Sequence, residues 1–482
     1  MKRFLCLLLA MLLLVCPVVQ ATEAEETEIT ESYTVIKALR NYLKGIYQFG
    51  VSEEELLDSL IKSIFKEKDD NEAFEFVADA ITDALDDYSV YFTPEEMQEF
   101  SESVDAVFAG IGVTLVNIDG YASVMNTLPN TPAESSGLMA GDKIIAVDGE
   151  SVINTDIDLV SSRIRGEKGT DVVLTVLTLN GETKEIKITR DIVVIPSVES
   201  VINEKGDTAY VVITQFAEDT GNQFKRIYDD FKSKGINNLI LDLRYNSGGY
   251  TSQAEKIASM FLPKDSVIYY ENTRSYNTNI PFVSSNENAD TKTKIVVLTN
   301  EFTASASEIL VGALKENDRA TIIGTNTFGK GTMQNVASMG EYGSVKVTFA
   351  EFLSPKKNAI NKVGIAPHKV VENEVRKAQE SDVKPLSFKT KYFVGDENEE
   401  VKAIKERLAL LGLFAGDTNS PNYDTDTELA VMRFQEAYGL YPYGVADINT
   451  QLTLHTQVMC SEIVVDTQLE EAYKFLGTVM GK

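Results

Sequence analysis

Residues 294–324 read KIVVLTNEFTASASEILVGALKENDRATIIG, and this stretch decides the fold class. β-Branched runs over 294–298 and 320–324 predict buried strands, and residues 304–317 between them have the apolar spacing of a helix. The same alternation of strands and helices extends over residues 208–370. Alternation at this spacing predicts an α/β core with a largely parallel sheet.

A serine and a lysine in this region are candidates for nucleophilic catalysis. Ser305 lies on a turn of small residues, and Lys330 follows 25 residues later between two glycines. A serine hydroxyl is a weak nucleophile and needs a base within reach. Because the chain has only two histidines, a lysine is the candidate base. A lysine acts as a base only when neutral, which requires its pKa to fall from about 10.4 to about 7, a shift that burial can supply.

Neighbouring residues fit this chemistry. The Ala306 N–H lies at the start of the predicted helix, where it can stabilise an oxyanion. Gln334 follows Lys330 by four residues, so that in a strand both side chains lie on one face and the Gln334 amide oxygen can orient the lysine amine. The ring of Phe328 and the glycines on both sides of Lys330 predict that the lysine approaches the serine closely and away from water.

Two other interpretations of the serine–lysine pair are open at this level. Residues 324–330 match a phosphate-binding loop, but Gly331 replaces the hydroxyl residue that would hold magnesium. Alternatively, Ser305 and Ser307 cap a helix and Lys330 is a surface charge. Spacing alone favours this second, plainer alternative.

The N-terminus predicts export from the cytoplasm. Two basic residues, an apolar run over 4–15 and small residues up to Ala21 form the pattern of a signal peptide over residues 1–21. An uncleaved membrane anchor is also compatible with this segment. Cleavage would leave Cys460 as the only cysteine, so no intrachain disulfide and no metal site are expected, and no cofactor is predicted. The net charge of −28 argues against nucleic-acid binding.

Changes in composition and periodicity predict a multidomain α+β protein. The predicted modules are a signal peptide (1–21), a helical N-terminal region (22–104), a β-rich module (105–192), an α/β core (193–375), a polar linker (376–391), a small helical module (392–456) and a C-terminal helix (457–482).

Several motifs occur in the order found in one known family, in a resemblance that covers about residues 35–375. They lie at residues 85–96, 108–113, 136–142, 241–249, 303–310, 324–334 and 364–367. These segments resemble the carboxyl-terminal processing proteases, secreted serine peptidases with a PDZ domain. The resemblance implies a protease cap within 22–104, a PDZ domain at 105–192 and a crotonase-like protease core at 193–375. It also overrides the plainer interpretation of the serine–lysine pair.

The resemblance implies roles for individual residues. Ser305 takes the place of the nucleophile, Lys330 of the general base and Gln334 of the residue that orients it. The oxyanion hole would be formed by the N–H of Ala306 and one of Gly248 and Gly249. The PDZ loop that would receive a peptide carboxylate is Gly110, Ile111, Gly112 and Val113, and Arg165 matches a position that couples the PDZ domain to the active site.

The C-terminal module resembles a peptidoglycan-binding domain, with a departure at Ile404 and Lys405. The predicted function is therefore a secreted or envelope-attached endopeptidase that cleaves proteins near their C-termini through an acyl-enzyme. Its expected partners are peptides with apolar C-termini, peptidoglycan and a second copy of the chain. The alternative is a non-catalytic, wall-bound PDZ scaffold.

Overall fold

The computed structural model describes most of the chain, namely residues 41, 52–118, 120–178, 180–274 and 279–479. The predicted signal peptide, residues 1–21, lies outside the described residues. Within them, no helix is long and apolar enough to cross a membrane. The described residues form two compact units: a larger unit of residues 101–331 and 351–479, and a smaller unit of residues 52–100 and 332–350.

The helices and strands are numbered in chain order. The helices are α1 (Glu53–Glu67), α2 (Asp70–Thr82), α3 (Pro94–Asp105), α4 (Pro132–Ser135), α5 (Ile157–Ile164), α6 (Thr220–Ser233), α7 (Thr251–Phe261), α8 (Ala306–Glu316), α9 (Glu399–Leu410), α10 (Thr425–Ala437), α11 (Ile448–Cys460) and α12 (Thr467–Leu476). The strands are β1 (Val90–Phe92), β2 (Val107–Gly110), β3 (Val113–Ile118), β4 (Tyr121–Thr127), β5 (Lys143–Val147), β6 (Glu150–Ser151), β7 (Asp171–Leu177), β8 (Thr183–Thr189), β9 (Asp191–Val194), β10 (Val198–Ile202), β11 (Thr208–Ile213), β12 (Asn238–Asp242), β13 (Val267–Thr273), β14 (Asn279–Val283), β15 (Lys294–Thr299), β16 (Ala320–Gly324), β17 (Thr332–Ser338), β18 (Ser344–Leu353), β19 (Lys369–Val370), β20 (Glu374–Lys377) and β21 (Glu462–Val465).

The α/β core of the larger unit confirms the predicted sheet. Its strand order is β10-β11-β12-β15-β16-β19, and all neighbours are parallel except β10 and β11. Every residue of β11 is buried, and β15 is buried except at its first residue. Such continuous apolar strands are expected where helices cover both faces of a parallel sheet. The carboxyl ends of these strands lead into the loops that carry the site described below.

The C-terminal segment contains an unpredicted strand. A single helix was predicted over residues 457–482, but α11 extends to Cys460, β21 follows it, and only then does α12 begin. The β-branched run of β21 pairs antiparallel with β20, which spans the boundary between the predicted core, ending at 375, and the predicted linker at 376–391. The prediction failed because this pairing joins segments that are far apart in the chain.

Helix α12 packs on one face of the parallel sheet. Its buried residues Leu469, Ala472, Tyr473 and Leu476 form one apolar cluster with side chains of β11, β12, β15 and β16. The helical module of α9, α10 and α11 thus lies, in the chain order, between two segments that belong to the α/β core. The paired strands β20 and β21 form the entry to and the return from this module.

The helical module has its own apolar core, which includes Ile404, Phe434 and Leu454. At the departure noted in the sequence, Lys405 is fully buried and its Nζ lies 2.9 Å from Oδ2 of Asp424, the N-cap of α10. This ion pair accommodates the unusual lysine. Nowhere in the described part of the chain do three or more His, Cys, Asp or Glu residues form a group that could hold a metal.

The β-rich module is an antiparallel sheet of order β3-β4-β5-β7-β8, with β6 paired to β5. The turn that contains Asn180 and Gly181, a dipeptide typical of hairpin turns, joins β7 and β8. Buried residues such as Ile144, Val160 and Val172 form its core together with α5. The β2–β9 pair joins the two ends of the module.

The smaller unit contains α1, α2, β1 and β17, with parts of α3 and β18. Ser52 and Glu55 form a capping box at the start of α1, and Pro94 is the first residue of α3. No residue of α1 is buried in the described structure, and Leu57 and Leu60 are more than half exposed. The apolar stripe of α1 is therefore not part of a core within this unit.

Candidate active site

Ser305 lies at the start of α8 in a strained backbone conformation. Its φ is 56° and its ψ −119°, a region that residues with a β-carbon rarely adopt, at a typical cost of about 1–3 kcal/mol. Residues from Ala306 to Leu314 are all buried, whereas Ser305 is partly exposed. The turn thus presents this one side chain at the helix N-terminus, where the helix dipole favours negative charge.

Glu308 joins the serine and lysine segments. Its Oε2 accepts hydrogen bonds from the backbone N–H of Ser305 (3.0 Å) and of Lys330 (2.8 Å). Its Oε1 accepts from the Gly329 N–H and from the Thr327 hydroxyl. Burial raises the pKa of Glu308, while these hydrogen bonds act in the opposite direction. One buried carboxyl group therefore holds the backbones of the two candidate catalytic residues close together in space.

Replacing Glu308 with glutamine is expected to destabilise the fold and reduce activity. The amide offers one acceptor oxygen in place of two, so that at least one buried N–H loses its partner, at a typical cost of about 1–3 kcal/mol. Urea unfolding measures this loss. The control is Glu301→Gln, which alters an exposed carboxylate of the loop that leads to α8. Equal stability of the two variants would show that the Glu308 hydrogen bonds are dispensable.

The loop after β12 packs against the Ser305 turn. The Asn246 carbonyl accepts hydrogen bonds from the Ala304 N–H and the Ser307 hydroxyl. A β-carbon at Gly248, whose φ is +111°, would lie 2.7 Å from Ser305 Cβ. Only glycine therefore permits this close approach of the loop to the serine.

The two candidate glycines differ in their amide groups. The Gly248 N–H already donates to Asn246 Oδ1 at 2.9 Å. The N–H groups of Gly249 and Ala306 have no acceptor among the described residues. Ala306 directly follows the partly exposed Ser305, and Gly249 directly follows the glycine that packs on Ser305. Both N–H groups are therefore candidate donors for an oxyanion hole.

Lys330 is half-buried at the end of the loop that follows β16. A β-carbon at Gly329 would lie 2.8 Å from the Gly364 nitrogen, and one at Gly331 would lie 2.3 Å from the Asn361 nitrogen. The glycines therefore allow the lysine loop to pack against the 360–364 segment. The Phe328 side chain is 55% exposed, and its part in a close, dry approach to Lys330 stays a prediction.

The fold does not support a nucleotide-binding loop at 324–330. A phosphate-binding loop of this type leads into a helix, whose N-terminus faces the phosphates. Here Lys330 is followed by the strand β17. The loop therefore does not lead into the helix that this motif requires.

Gln334 lies in β17, within the smaller unit. Its amide nitrogen donates hydrogen bonds to the hydroxyls of Thr332 and Thr348, each at 3.0 Å. These two bonds hold the amide group in one orientation and leave its oxygen available as an acceptor. The orienting role of Gln334 stays a prediction.

The predicted PDZ residues surround one groove between β3 and α5. The groove is narrow, with a cavity volume of about 50 Å³, and is lined by Phe108, Ile111, Gly112, Val113, Leu115, Ser161, Ile164 and Arg165. Gly110 lies next to it, at the end of β2. The Arg165 guanidinium stacks on the Phe108 ring, 4.8 Å from its centre. A groove between a strand and a helix suits an extended peptide that adds to the sheet edge.

The sequence arguments missed the bridging role of Glu308 and the role of Asn246. The spacing of Ser305 and Glu308, three residues apart, is that of a capping box and was the available signal for Glu308. Asn246 had no comparable local signal, because its partners at Ile213, Ala304 and Ser307 are distant in the chain.

Comparison with known families divides the chain in the same way. Residues 207–371 match peptidase family S41, residues 109–189 match the PDZ domain, and residues 397–454 match a putative peptidoglycan binding domain. These three matches correspond to the α/β core, the β-rich module and the helical module, respectively.

Whole-chain relatives are also similar. Carboxy-terminal processing protease CtpB of Bacillus subtilis is 32% identical over 464 residues, which cover 95% of this chain and 92% of CtpB. CtpA of the same organism is 33% identical over 430 residues, covering 87% and 89% of the two chains. Among solved structures, the photosystem II D1 C-terminal processing protease is 26% identical, covers 62% of this chain and 82% of its own, and has a TM-score of 0.39.

Proposed function

The chain belongs to the carboxy-terminal processing proteases of peptidase family S41, serine-type peptidases, and from this premise we propose that Ser305 and Lys330 form its catalytic dyad. In the proposed reaction, Ser305 Oγ attacks the carbonyl carbon of the scissile peptide while neutral Lys330 takes the hydroxyl proton. The single observation that carries the proposal is the Glu308 carboxyl group, which binds the backbone N–H of both residues.

The proposed acyl-enzyme forms and breaks down in balanced steps. The tetrahedral oxyanion accepts hydrogen bonds from the Ala306 and Gly249 N–H groups, since the Gly248 N–H is occupied by Asn246. Collapse breaks the C–N bond, and the leaving amine takes the proton from Lys330. Water then attacks the carbonyl carbon of the Ser305 ester while Lys330 takes a proton from the water. The C–Oγ bond breaks, the product carboxyl group leaves, and Lys330 returns the proton to Ser305 Oγ. Gln334 is proposed to orient the lysine amine in both steps.

The PDZ groove is proposed to capture the C-terminal tail of the substrate. Backbone N–H groups of residues 110–113 would bind the terminal carboxylate, and the apolar lining from Ile111, Leu115 and Ile164 favours an apolar tail. Arg165, at the edge of the same groove, is proposed to couple tail binding to activation. The stacking of its guanidinium on Phe108 supports this, because a tail that displaces the ring would also move the guanidinium.

Gly112→Ala is expected to abolish tail-stimulated cleavage. A β-carbon at Gly112 would lie 2.4 Å from Thr131 Cβ, so the groove loop must move. Gly137→Ala is the matched control, because Gly137 has nearly the same φ (+79° against +80°) but nothing within 4 Å of a β-carbon. Tail-peptide affinity measured by fluorescence polarisation separates the variants. Equal affinities would contradict the assignment of the groove.

The C-terminal module and the relatives support a place in the cell envelope. We propose that the protein is exported, works outside the cytoplasm and uses residues 397–454 to contact peptidoglycan. The exposed apolar stripe of α1, with Leu57 and Leu60, is proposed as part of a homodimer interface.

The function is tested with a disordered protein that carries either an apolar or an acidic C-terminal tail. We expect the protease to release C-terminal fragments from the first substrate at a higher rate than from the second, as measured by intact mass. If the apolar tail binds but both substrates stay intact, the wall-bound scaffold is the correct function instead.

A further inference from the structure

A buried arginine links the C-terminal helix to the loop that carries the candidate oxyanion glycine. Arg244 is 7% exposed and lies two residues after β12. Its Nη1 and Nη2 donate to the two carboxylate oxygens of Asp466 at 2.7 and 2.9 Å. The guanidinium also donates to both oxygens of Asp242 and to Gln468 Oε1. All five N–H groups of the guanidinium can be satisfied in this arrangement, which therefore permits one orientation.

The loop from Arg244 to Gly249 connects this arginine to the Ser305 turn through hydrogen bonds. The Asn246 carbonyl binds the Ala304 N–H, and the Asn246 side chain binds the Ile213 carbonyl and the Gly248 N–H. No residue between Arg244 and Gly249 belongs to a regular strand or helix. At its far end, the Phe216 N–H donates to the Gly248 carbonyl and the Tyr250 N–H donates to the Phe216 carbonyl. The position of the Gly249 N–H therefore depends on these two backbone bonds together with the side-chain contacts of Arg244 and Asn246.

Asp466 also has a defined place in the chain. It directly follows β21, the strand that returns from the helical module, and it caps α12 by accepting the Leu469 N–H at 3.0 Å. Gln468 fixes the same turn from the other side by donating to the Val371 carbonyl. The first turn of α12 is thus held against the core at the point where it contacts Arg244.

We propose that Asp466 is a positioning residue of the protease, which acts through Arg244 on the loop that supplies the Gly249 N–H. The C-terminal helix, which follows the helical module in the chain, then helps to position the residues of the proposed active site. This inference rests on the proposed oxyanion hole. Its consequence is that a change at residue 466 alters the chemical step and leaves tail capture in the PDZ groove unaffected.

The test compares Asp466→Asn with Glu471→Gln in the full chain. Asparagine keeps the N-cap of α12 but loses the second carboxylate oxygen and the charge that face Arg244. Glu471 is a matched control, because it lies on the same helix, is similarly buried (19% against 20% exposed) and pairs with Lys369 instead. For Asp466→Asn we expect kcat to fall about 10–100-fold with KM within about twofold, since small misplacements cost rates of this order.

The control is expected to keep kcat within about twofold of wild type. Equal kcat values for the two variants would overturn the positioning role, and so would a fall in thermal midpoint or a rise in KM that accounts for the lost activity. Wild type and Ser305→Ala are measured in parallel. If these two cleave equally, the proposed function itself fails; if wild type cleaves and Asp466→Asn matches it, only the role of Asp466 fails.

Discussion

Ser305→Ala is expected to lower kcat/KM by about 10⁴-fold or more, because it removes the proposed nucleophile, and the groups of such a site act as a unit. Alanine keeps the β-carbon, so the strained backbone of residue 305 and its contact with Gly248 are unchanged. The Ser305 N–H still donates to Glu308. Folding and tail binding are therefore expected to match wild type, and only cleavage is lost.

Ser307→Ala is the control that separates the two serines of the motif. Ser307 is fully buried, and its hydroxyl donates to the Asn246 carbonyl at 3.0 Å. Its loss removes one buried hydrogen bond, worth about 1 kcal/mol of stability, and leaves the nucleophile in place. We expect this variant to keep at least about a tenth of wild-type kcat/KM. Retained cleavage in Ser305→Ala, measured by product mass, would assign the nucleophile elsewhere.

Lys330→Met is expected to reduce kcat by about 10³–10⁴-fold. Methionine fills a similar volume but cannot take the Ser305 proton, and general-base catalysis is typically worth about 10²–10⁴-fold. The backbone N–H of residue 330 keeps its bond to Glu308, so the loop is expected to stay in place. Single-turnover kinetics should show slower acylation with unchanged substrate affinity.

The matched control for Lys330 is Lys362→Met. The exposed Lys362 belongs to the segment that packs on the same loop, and its N–H donates to the Gly329 carbonyl. Its side chain has no role in the proposed proton transfer, so wild-type kcat is expected. If Lys330→Met retains more than about a tenth of wild-type kcat, another group serves as the base.

The sequence predicted the local elements of the α/β core well because their signals are local. The apolar runs at β15 and β16 and the helix between them depend on neighbouring residues, and the structure confirms all three. The small-residue turn marked Ser305 in the same way. Family resemblance, rather than spacing, identified the lysine and the candidate oxyanion glycines. The resemblance left open which glycine is the better candidate, and the structure adds that the Gly248 N–H donates to the Asn246 side chain.

By itself, the sequence determined the order of modules, the strand and helix pattern of the core and the residues available for catalysis. Only the tertiary structure decided how these are held together. The Glu308 carboxyl group bridges segments 22 residues apart, and the Arg244–Asp466 pair joins residues 222 positions apart. Hydrogen bonds between such distant segments leave no periodic trace in the chain, because each requires only one donor and one acceptor that the fold brings together.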